Sequence, residues 1–272
     1  MIRLGHIEYS NCIPVHARLL AEPPPADVTV LRGVPTELNR ELAAGRIDAA
    51  PCSSIEYARH AGAYWLLPLA IASRGAVQSI LLESDRPPAA LSAATIALPT
   101  ASATSIVLLR ILAERRWQVQ PNWLSFDQST EDPFARGCAA ALWIGDVALR
   151  RLPRPDRQLL DLGQEWQSWT GLPFAFALWQ VRRDLPVPEL HRLAALLQES
   201  RAWFAARSEQ VAREYAPGFG LAPERLLRYW NSLVYDLTDD VRAGLLHFLK
   251  LAAALGEAPL LQELVMAPLP PR

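Results

Sequence analysis

The stretch ATIALPTASATSIVLLRILAERRW, residues 94–117, contains the unit on which the predicted fold rests. Its apolar start, Ala94 to Leu98, is typical of a buried strand, and Ile106 to Trp117 has the periodicity of a helix. Between them lies a turn of small residues with four hydroxyl side chains, from Thr100 to Ser105. A strand, a short turn and a helix form the repeating unit of α/β proteins.

The hydroxyl-rich turn has two interpretations. Thr100, Ser102 and Thr104 belong to the residue types that usually cap a helix start. A helix start also presents free N–H groups and the positive end of the helix dipole, and a small residue such as Ala103 lets an anion come close. Taken alone, the turn fits a helix cap as well as it fits a cradle for a carboxylate or phosphate.

Polar residues follow other predicted strands in the same way. Because the carboxyl ends of strands in an open α/β sheet face the ligand crevice, we expect these residues to line one cleft. Their joint occurrence favours an anion-accepting cleft over a series of separate caps, with a small ligand that carries carboxylates. The additional junction residues are Asn11, Ser53, Ser54, Ser79, Gly145 and Asp146.

Strand and helix patterns alternate through about the first two thirds of the chain, and only helical patterns follow Pro186. This alternation predicts an α/β protein with mainly parallel strands, in which Phe174 to Val181 is the last strand. A helix is also expected near Glu131 to Arg136. We predict two lobes with a ligand cleft between them: a discontinuous lobe one, residues 1–84 plus 176–272 with the C-terminal helices, and lobe two, residues 85–175.

The composition excludes several classes of protein. The 272-residue chain is long enough for two modest lobes, and 27 basic against 28 acidic side chains argue against a nucleic-acid binder, which would need a basic face. Its apolar runs are too short to cross a bilayer, and the N-terminal residues do not form a signal peptide. We therefore expect a cytoplasmic protein whose partner is a small molecule, with no nucleic-acid or membrane partner. The sequence makes no prediction of the oligomeric state.

Several catalytic motifs are missing from the chain. It has no phosphate loop, GxGxxG turn, HExxH or GxSxG motif, so we expect neither a cofactor nor a metal. The three cysteines are widely spaced, which is not typical of a disulfide framework or of structural zinc. His6 and His16 flank the first junction and either could reach the cleft, although a structural role is favoured for both.

The junctions resemble those of the chorismate dehydratase family, which acts first in the futalosine route to menaquinone. The resemblance covers nearly the whole chain and keeps the order of its motifs. The matching strings are Tyr9–Pro14, Val34–Asn39, Ser53–Ala58, Thr100–Ser105, Ile144–Asp146 and Glu165–Phe174. The chain departs from the usual family pattern at Ala72, at Cys138-Ala139 and at Cys52, which leaves the hydrogen-bond set of the site open.

The resemblance implies a two-lobed fold similar to type II periplasmic binding proteins. It also implies a lyase that removes water from chorismate to give 3-[(1-carboxyvinyl)oxy]benzoate. Asn11 and Ser79 are then the predicted catalytic residues, which orient the substrate while its own enolpyruvyl carboxylate takes the proton. The predicted substrate-binding residues are Ser53, Ser54, Thr100, Ser102, Ala103, Thr104, Gly145 and Asp146.

Two alternatives stay open from the sequence. One is 1,4-dihydroxy-6-naphthoate synthase, a sister enzyme of the same route that shares the fold. The other is a cytoplasmic module that binds a carboxylate ligand without turning it over.

Overall fold

Two β-sheets organise the chain in the computed structural model, which describes residues 1–270. The strands are β1 (Ile2–Ile7), β2 (Val28–Gly33), β3 (Ala49–Ser53), β4 (Tyr64–Ser73), β5 (Ile80–Ser84), β6 (Thr95–Pro99), β7 (Asn122–Phe126), β8 (Ala140–Ile144), β9 (Gln158–Asp161), β10 (Phe174–Arg182) and β11 (Leu233–Asp236). The helices are α1 (Ile13–Ala21), α2 (Pro35–Ala43), α3 (Ser54–Arg59), α4 (Thr104–Ile111), α5 (Gly145–Leu149), α6 (Leu162–Thr170), α7 (Val187–Ala205), α8 (Ser208–Phe219), α9 (Pro223–Ser232) and α10 (Asp239–Ala254).

The first sheet has six strands in the order β11-β4-β10-β3-β1-β2. Its N-terminal part is parallel, since β1 pairs with both β2 and β3 in that sense. The strand β10 inserts antiparallel between β3 and β4, and its sequence, apolar except for Gln180, is buried from Phe174 to Val181. A run with no polar alternation is what a strand in the middle of a covered sheet requires.

The second sheet has five strands in the order β7-β6-β8-β5-β9. The strand β6 pairs parallel with β7 and β8, whereas β5 pairs antiparallel with β8 and β9. The stretch quoted at the outset therefore supplies an interior strand of this sheet, β6, and the helix α4 that follows it.

These sheets confirm the α/β class and correct one detail of it. Both sheets are mixed, so the expectation of mainly parallel strands is wrong. The physical reason is that β10 returns to the first sheet from the second, and β5 enters the second sheet from the first, each against the direction of its neighbours.

Sheet membership differs from the predicted lobe boundaries at two places. The strand β5 falls in predicted lobe one, 1–84, yet it belongs to the second sheet, and Phe174 and Ala175 of predicted lobe two, 85–175, belong to the first. The chain therefore crosses between the sheets at residues 74–79 and 171–173, where we propose that the lobes divide. Residues 271–272 of predicted lobe one lie outside the described part of the chain.

Three elements differ from the sequence-based expectations. Residues 131–136 form turns in place of a helix, with the Phe134 N–H bonded to the Asp132 carboxylate at 3.0 Å. The predicted last strand is followed by β11, which pairs with β4 after a helix. The helix that starts at Thr104 ends in a π-helical turn from Leu112 to Arg116. Within residues 1–270, no helix is both long and apolar enough to cross a membrane.

Candidate active site

A cavity of about 60 Å³ lies where the two sheets face each other, and we call it the cleft. Its lining comes from strand ends and helix starts of both sheets, which is the placement expected for the ligand crevice of an α/β fold. The residues that line it are Ile7, Tyr9, Asn11, Pro35, Ser53, Ile71, Ile80, Ala101, Ser102, Thr104, Ser105, Ile144, Gly145, Phe176 and Ala177.

Some of the predicted site residues meet in this cleft. Asn11, Ser53, Ser102, Thr104 and Gly145 all line it, although they come from junctions far apart in the sequence. The structure therefore brings together residues from both sheets around one cavity. Their roles toward a ligand remain predictions.

Asn11 presents an amide group to the cleft from the turn that follows β1. Its Oδ1 atom is buried and has no hydrogen-bond partner among residues 1–270. The Asn11 carbonyl, by contrast, accepts a hydrogen bond from the Tyr235 phenol at 3.1 Å, which fixes the backbone. A buried amide oxygen without a partner is costly unless a ligand or water satisfies it, so this side chain is available for binding.

The hydroxyl-rich turn reaches the cleft through three side chains, those of Ser102, Thr104 and Ser105. Thr104 begins α4, so its surroundings include the free N–H groups of that helix start. The Thr104 Oγ1 atom accepts a hydrogen bond from the Ile55 N–H at 3.2 Å, which leaves the hydroxyl proton free to donate. The turn thus offers donors to an anion, as the cradle interpretation expected.

Gly145 lines the cleft with a backbone that other residues rarely adopt. Its φ is +61°, and a Cβ atom added there would lie 3.1 Å from the Tyr9 ring. Its N–H donates to the Ser79 carbonyl at 2.8 Å, which holds the end of β8. The absence of a side chain therefore lets the Tyr9 ring pack directly against this strand end.

Asp146 binds Ser10, in the turn that follows β1, and is not among the residues that line the cavity. Its carboxylate accepts hydrogen bonds from the Ser10 N–H at 3.2 Å and from the Ser10 hydroxyl, and it is only 8% exposed. Burial raises the pKa of Asp146, against the opposing effect of the Ser10 hydrogen bonds. In this structure Asp146, a predicted ligand contact, bonds to the turn after β1.

Four further predicted residues do not line the cleft. Ser79 is buried and accepts a hydrogen bond from the Tyr229 phenol at 2.8 Å, and the Ser54 hydroxyl donates to the Ala175 carbonyl at 2.7 Å. Thr100 is exposed at the end of β6, and Ala103 precedes the first residue of α4.

The lining is almost free of ionisable groups. Of the described residues that form it, Tyr9 alone has a titratable side chain, and burial raises the pKa of Tyr9 to about 12, with the Asp146 charge adding to the rise. Any anion bound in the cleft would therefore be held by neutral donors and by the α4 dipole. A group with this pKa stays protonated near neutral pH and cannot act there as a general base.

The two histidines near the first junction lie in the core. The His6 and His16 Nδ1 atoms are 2.9 Å apart, and the Trp179 indole donates to His16 Nε2 at 3.0 Å. Burial, with a smaller contribution from Arg32, lowers the pKa of His6 to about 4. Neither residue lines the cleft, which agrees with the structural role favoured for both.

Sequence reasoning did not single out Tyr9, Ser105 or the apolar wall of the cleft. Tyr9 lies in the junction after the first predicted strand, and Ser105 lies in the hydroxyl-rich turn. Their positions within these two motifs could have predicted that they line the cleft. The apolar wall, by contrast, is made by Ile7, Ile71 and Phe176, which look like any other core residue in a strand.

Comparisons with known proteins agree with this architecture. A family described as menaquinone biosynthesis matches residues 2–254. A chorismate dehydratase of Thermus thermophilus is 32% identical over 93% of this chain and 94% of its own length. A chorismate dehydratase of Campylobacter jejuni is 32% identical over 64% of each chain.

Solved structures show the same fold. A protein from Archaeoglobus fulgidus superposes with a TM-score of 0.78 at 22% identity, covering 94% of this chain and 97% of the other. The periplasmic aliphatic sulphonate binding protein from Escherichia coli gives 0.68 at 15% identity, covering 98% and 93%. At these identities the likeness establishes the fold, which is that of periplasmic binding proteins.

Proposed function

The chain belongs to the menaquinone biosynthesis family, and from this premise we propose that it is a chorismate dehydratase, a carbon–oxygen lyase of the hydro-lyase class. It would convert chorismate to 3-[(1-carboxyvinyl)oxy]benzoate and water, the first step of futalosine-type menaquinone biosynthesis. The observation that carries the proposal is the neutral, donor-rich cleft in a chain matched along 93% of its length by a chorismate dehydratase. The cytoplasmic location expected from the sequence stays a prediction.

The cleft chemistry suits a substrate with two carboxylates. Ser102, Thr104 and Ser105 would hold one carboxylate through hydroxyl groups at the start of α4. On the facing wall, Asn11 and Ser53 add an amide and a hydroxyl. Hydrogen bonds to a charged oxygen are stronger than neutral ones, so such a set can bind a dianion without Lys or Arg.

The reaction needs a base for the proton on the ether-bearing ring carbon. The only titratable side chain among the described lining residues is Tyr9, which is protonated near neutral pH. We infer that the enolpyruvyl carboxylate of the substrate accepts this proton. The C–H electron pair then forms a ring double bond as hydroxide leaves the neighbouring carbon, and the proton and hydroxide make up the released water.

The protein would contribute position rather than proton transfer. An intramolecular base held in the correct geometry has a large effective concentration. In well-oriented cases this lowers the activation barrier by about 7 kcal/mol or more. Asn11, with its unpartnered buried amide oxygen, is the lining residue best placed to fix the ring relative to that carboxylate.

Entry of chorismate requires a wider cleft than the present one. A cavity of about 60 Å³ holds a few water molecules, whereas chorismate has a six-membered ring and two carboxylates. Hydrogen bonds between Ser10 and Asp146 and between Ile55 and Thr104 join the two sides. These contacts would break as the lobes separate to admit the substrate.

Purified protein incubated with chorismate tests the proposal. We expect a new aromatic ultraviolet spectrum and a product with the mass of 3-[(1-carboxyvinyl)oxy]benzoate. Heat-inactivated protein is the control for the spontaneous decay of chorismate. A thermal shift without product would instead identify a carboxylate-binding module. If chorismate causes no thermal shift and gives no product, the naphthoate synthase alternative is favoured.

A further inference from the structure

The C-terminal segment sends three aromatic side chains to the cleft-forming turns. Trp230 of α9 donates from its indole to the Ser10 carbonyl at 2.7 Å, and its neighbour Tyr229 donates to the Ser79 hydroxyl at 2.8 Å. Tyr235 of β11 donates to the Asn11 carbonyl at 3.1 Å. We call Tyr229, Trp230 and Tyr235 the aromatic clamp.

The clamp meets a crossing segment that is already held in an unusual backbone. Gln78 has a φ of +64°, which costs free energy for a residue with a side chain. The Asp161 carboxylate compensates by accepting from the Val77 N–H at 3.0 Å and the Gln78 N–H at 2.6 Å. Ser79 follows this turn directly. The Asp161 contacts to Val77 and Gln78 therefore also fix the backbone position of Ser79.

Within residues 1–270, the Tyr229 phenol is the hydrogen-bond partner of the Ser79 hydroxyl. Tyr229 is 1% exposed, and burial raises its pKa, so its phenol keeps the proton that it donates. The Asn11 amide acts on the same phenol, as a hydrogen-bonding group that lowers its pKa. The buried Tyr229 hydroxyl therefore contacts Ser79 and lies beside Asn11. These are the two residues that the sequence analysis predicted to be catalytic.

We propose that Tyr229, supported by the rest of the aromatic clamp, is a positioning residue that holds Ser79 and Asn11 in their working arrangement. This inference rests on the proposed dehydratase function. Tyr229 does not line the cleft, so it acts through the residues it contacts and not on the substrate. The C-terminal helices are then part of the catalytic apparatus and not only a cover for the first sheet.

The variant Tyr229→Phe tests the proposal, because it removes the hydroxyl and keeps the ring. We expect kcat for chorismate to fall about tenfold or more, with KM within about threefold of the wild-type value. Tyr235→Phe should change kcat in the same direction through Asn11.

Tyr57→Phe is the matched control. The Tyr57 phenol is also buried and accepts a hydrogen bond, from the Val265 N–H at 2.8 Å, but it does not line the cleft. Losing either hydroxyl should lower thermal stability by a similar amount, since one buried hydrogen bond is worth about 1 kcal/mol. Tyr57→Phe should nevertheless keep the wild-type kcat.

A double-mutant cycle with Ser79→Ala separates positioning from general loosening. If Tyr229 acts partly through Ser79, adding Tyr229→Phe to Ser79→Ala should lower kcat by a clearly smaller factor than it does in the wild-type enzyme, measured in single turnover with enzyme in excess. Independent effects that multiply, or a Tyr229→Phe enzyme with wild-type kcat, would overturn this inference alone. A wild-type protein that makes no product from chorismate would overturn the proposed function, and this inference with it.

Discussion

Replacing Asn11 with Ala is expected to lower kcat for chorismate about 100-fold, the cost typical of losing one pre-positioned polar group in an active site. Asn11 brings to the cleft a buried amide oxygen with no hydrogen-bond partner among residues 1–270, so this oxygen is free to accept a hydrogen bond from the substrate. Because the substitution also removes an unsatisfied group, we expect little loss of thermal stability. Steady-state kinetics with chorismate and a melting curve measure both effects.

Asn39→Ala is the control for this change. Asn39 also has a buried amide oxygen without a partner in the described chain, but it lies on α2 and does not line the cleft. It should keep the wild-type kcat. Equal turnover by the Asn11→Ala and Asn39→Ala enzymes would remove Asn11 from the mechanism.

Replacing Gly145 with Ala is expected to damage both stability and catalysis. A φ of +61° costs an alanine about 1–2 kcal/mol of unfolding free energy. The new Cβ atom would also lie 3.1 Å from the Tyr9 ring, which must then shift within the cleft. We expect kcat/KM for chorismate to fall about tenfold or more, since small displacements in an active site cost that much or more.

Gly137→Ala isolates the two effects. Gly137 has a φ of +78°, and a Cβ atom there would meet nothing within 4 Å. Urea denaturation should show a similar loss of stability for both variants, while only Gly145→Ala should lose kcat/KM. If both variants keep the wild-type kcat/KM, the packing of Tyr9 on Gly145 has no part in catalysis.

Much of the fold follows from local sequence patterns. The hydroxyl-rich stretch predicted β6 and α4, and the apolar run from Phe174 predicted the buried strand β10. Direction within a sheet is not a local property, which explains why the mixed pairing was missed. The short strand β11 was also missed, because its four residues follow a helix and carry only a weak alternation.

The site was predictable in position but not in every contact. A hydroxyl at a strand end points to the cleft region, and Ser53 and Thr104 do line it. Whether such a group is free depends on a partner far away in sequence. The Ser54 hydroxyl donates to the Ala175 carbonyl, and the Asp146 carboxylate accepts from the Ser10 N–H. No local sequence pattern predicts either hydrogen bond. The role proposed for Tyr229 could not be predicted for the same reason, because its partner Ser79 lies far away in the sequence.

The pH dependence of kcat for chorismate tests most directly whether the cleft leaves proton abstraction to the substrate. The substrate carboxylate has an ordinary pKa of about 3.5–4. The pKa of Tyr9 is raised to about 12, and that of His6 is lowered to about 4. None of these groups changes its protonation between about pH 6 and 9, so we predict a kcat that stays level across that range. Circular dichroism at each pH verifies that the protein is folded. A kcat that falls about tenfold for each pH unit below an inflection near pH 6.5 to 8 would show that a protein side chain is the base.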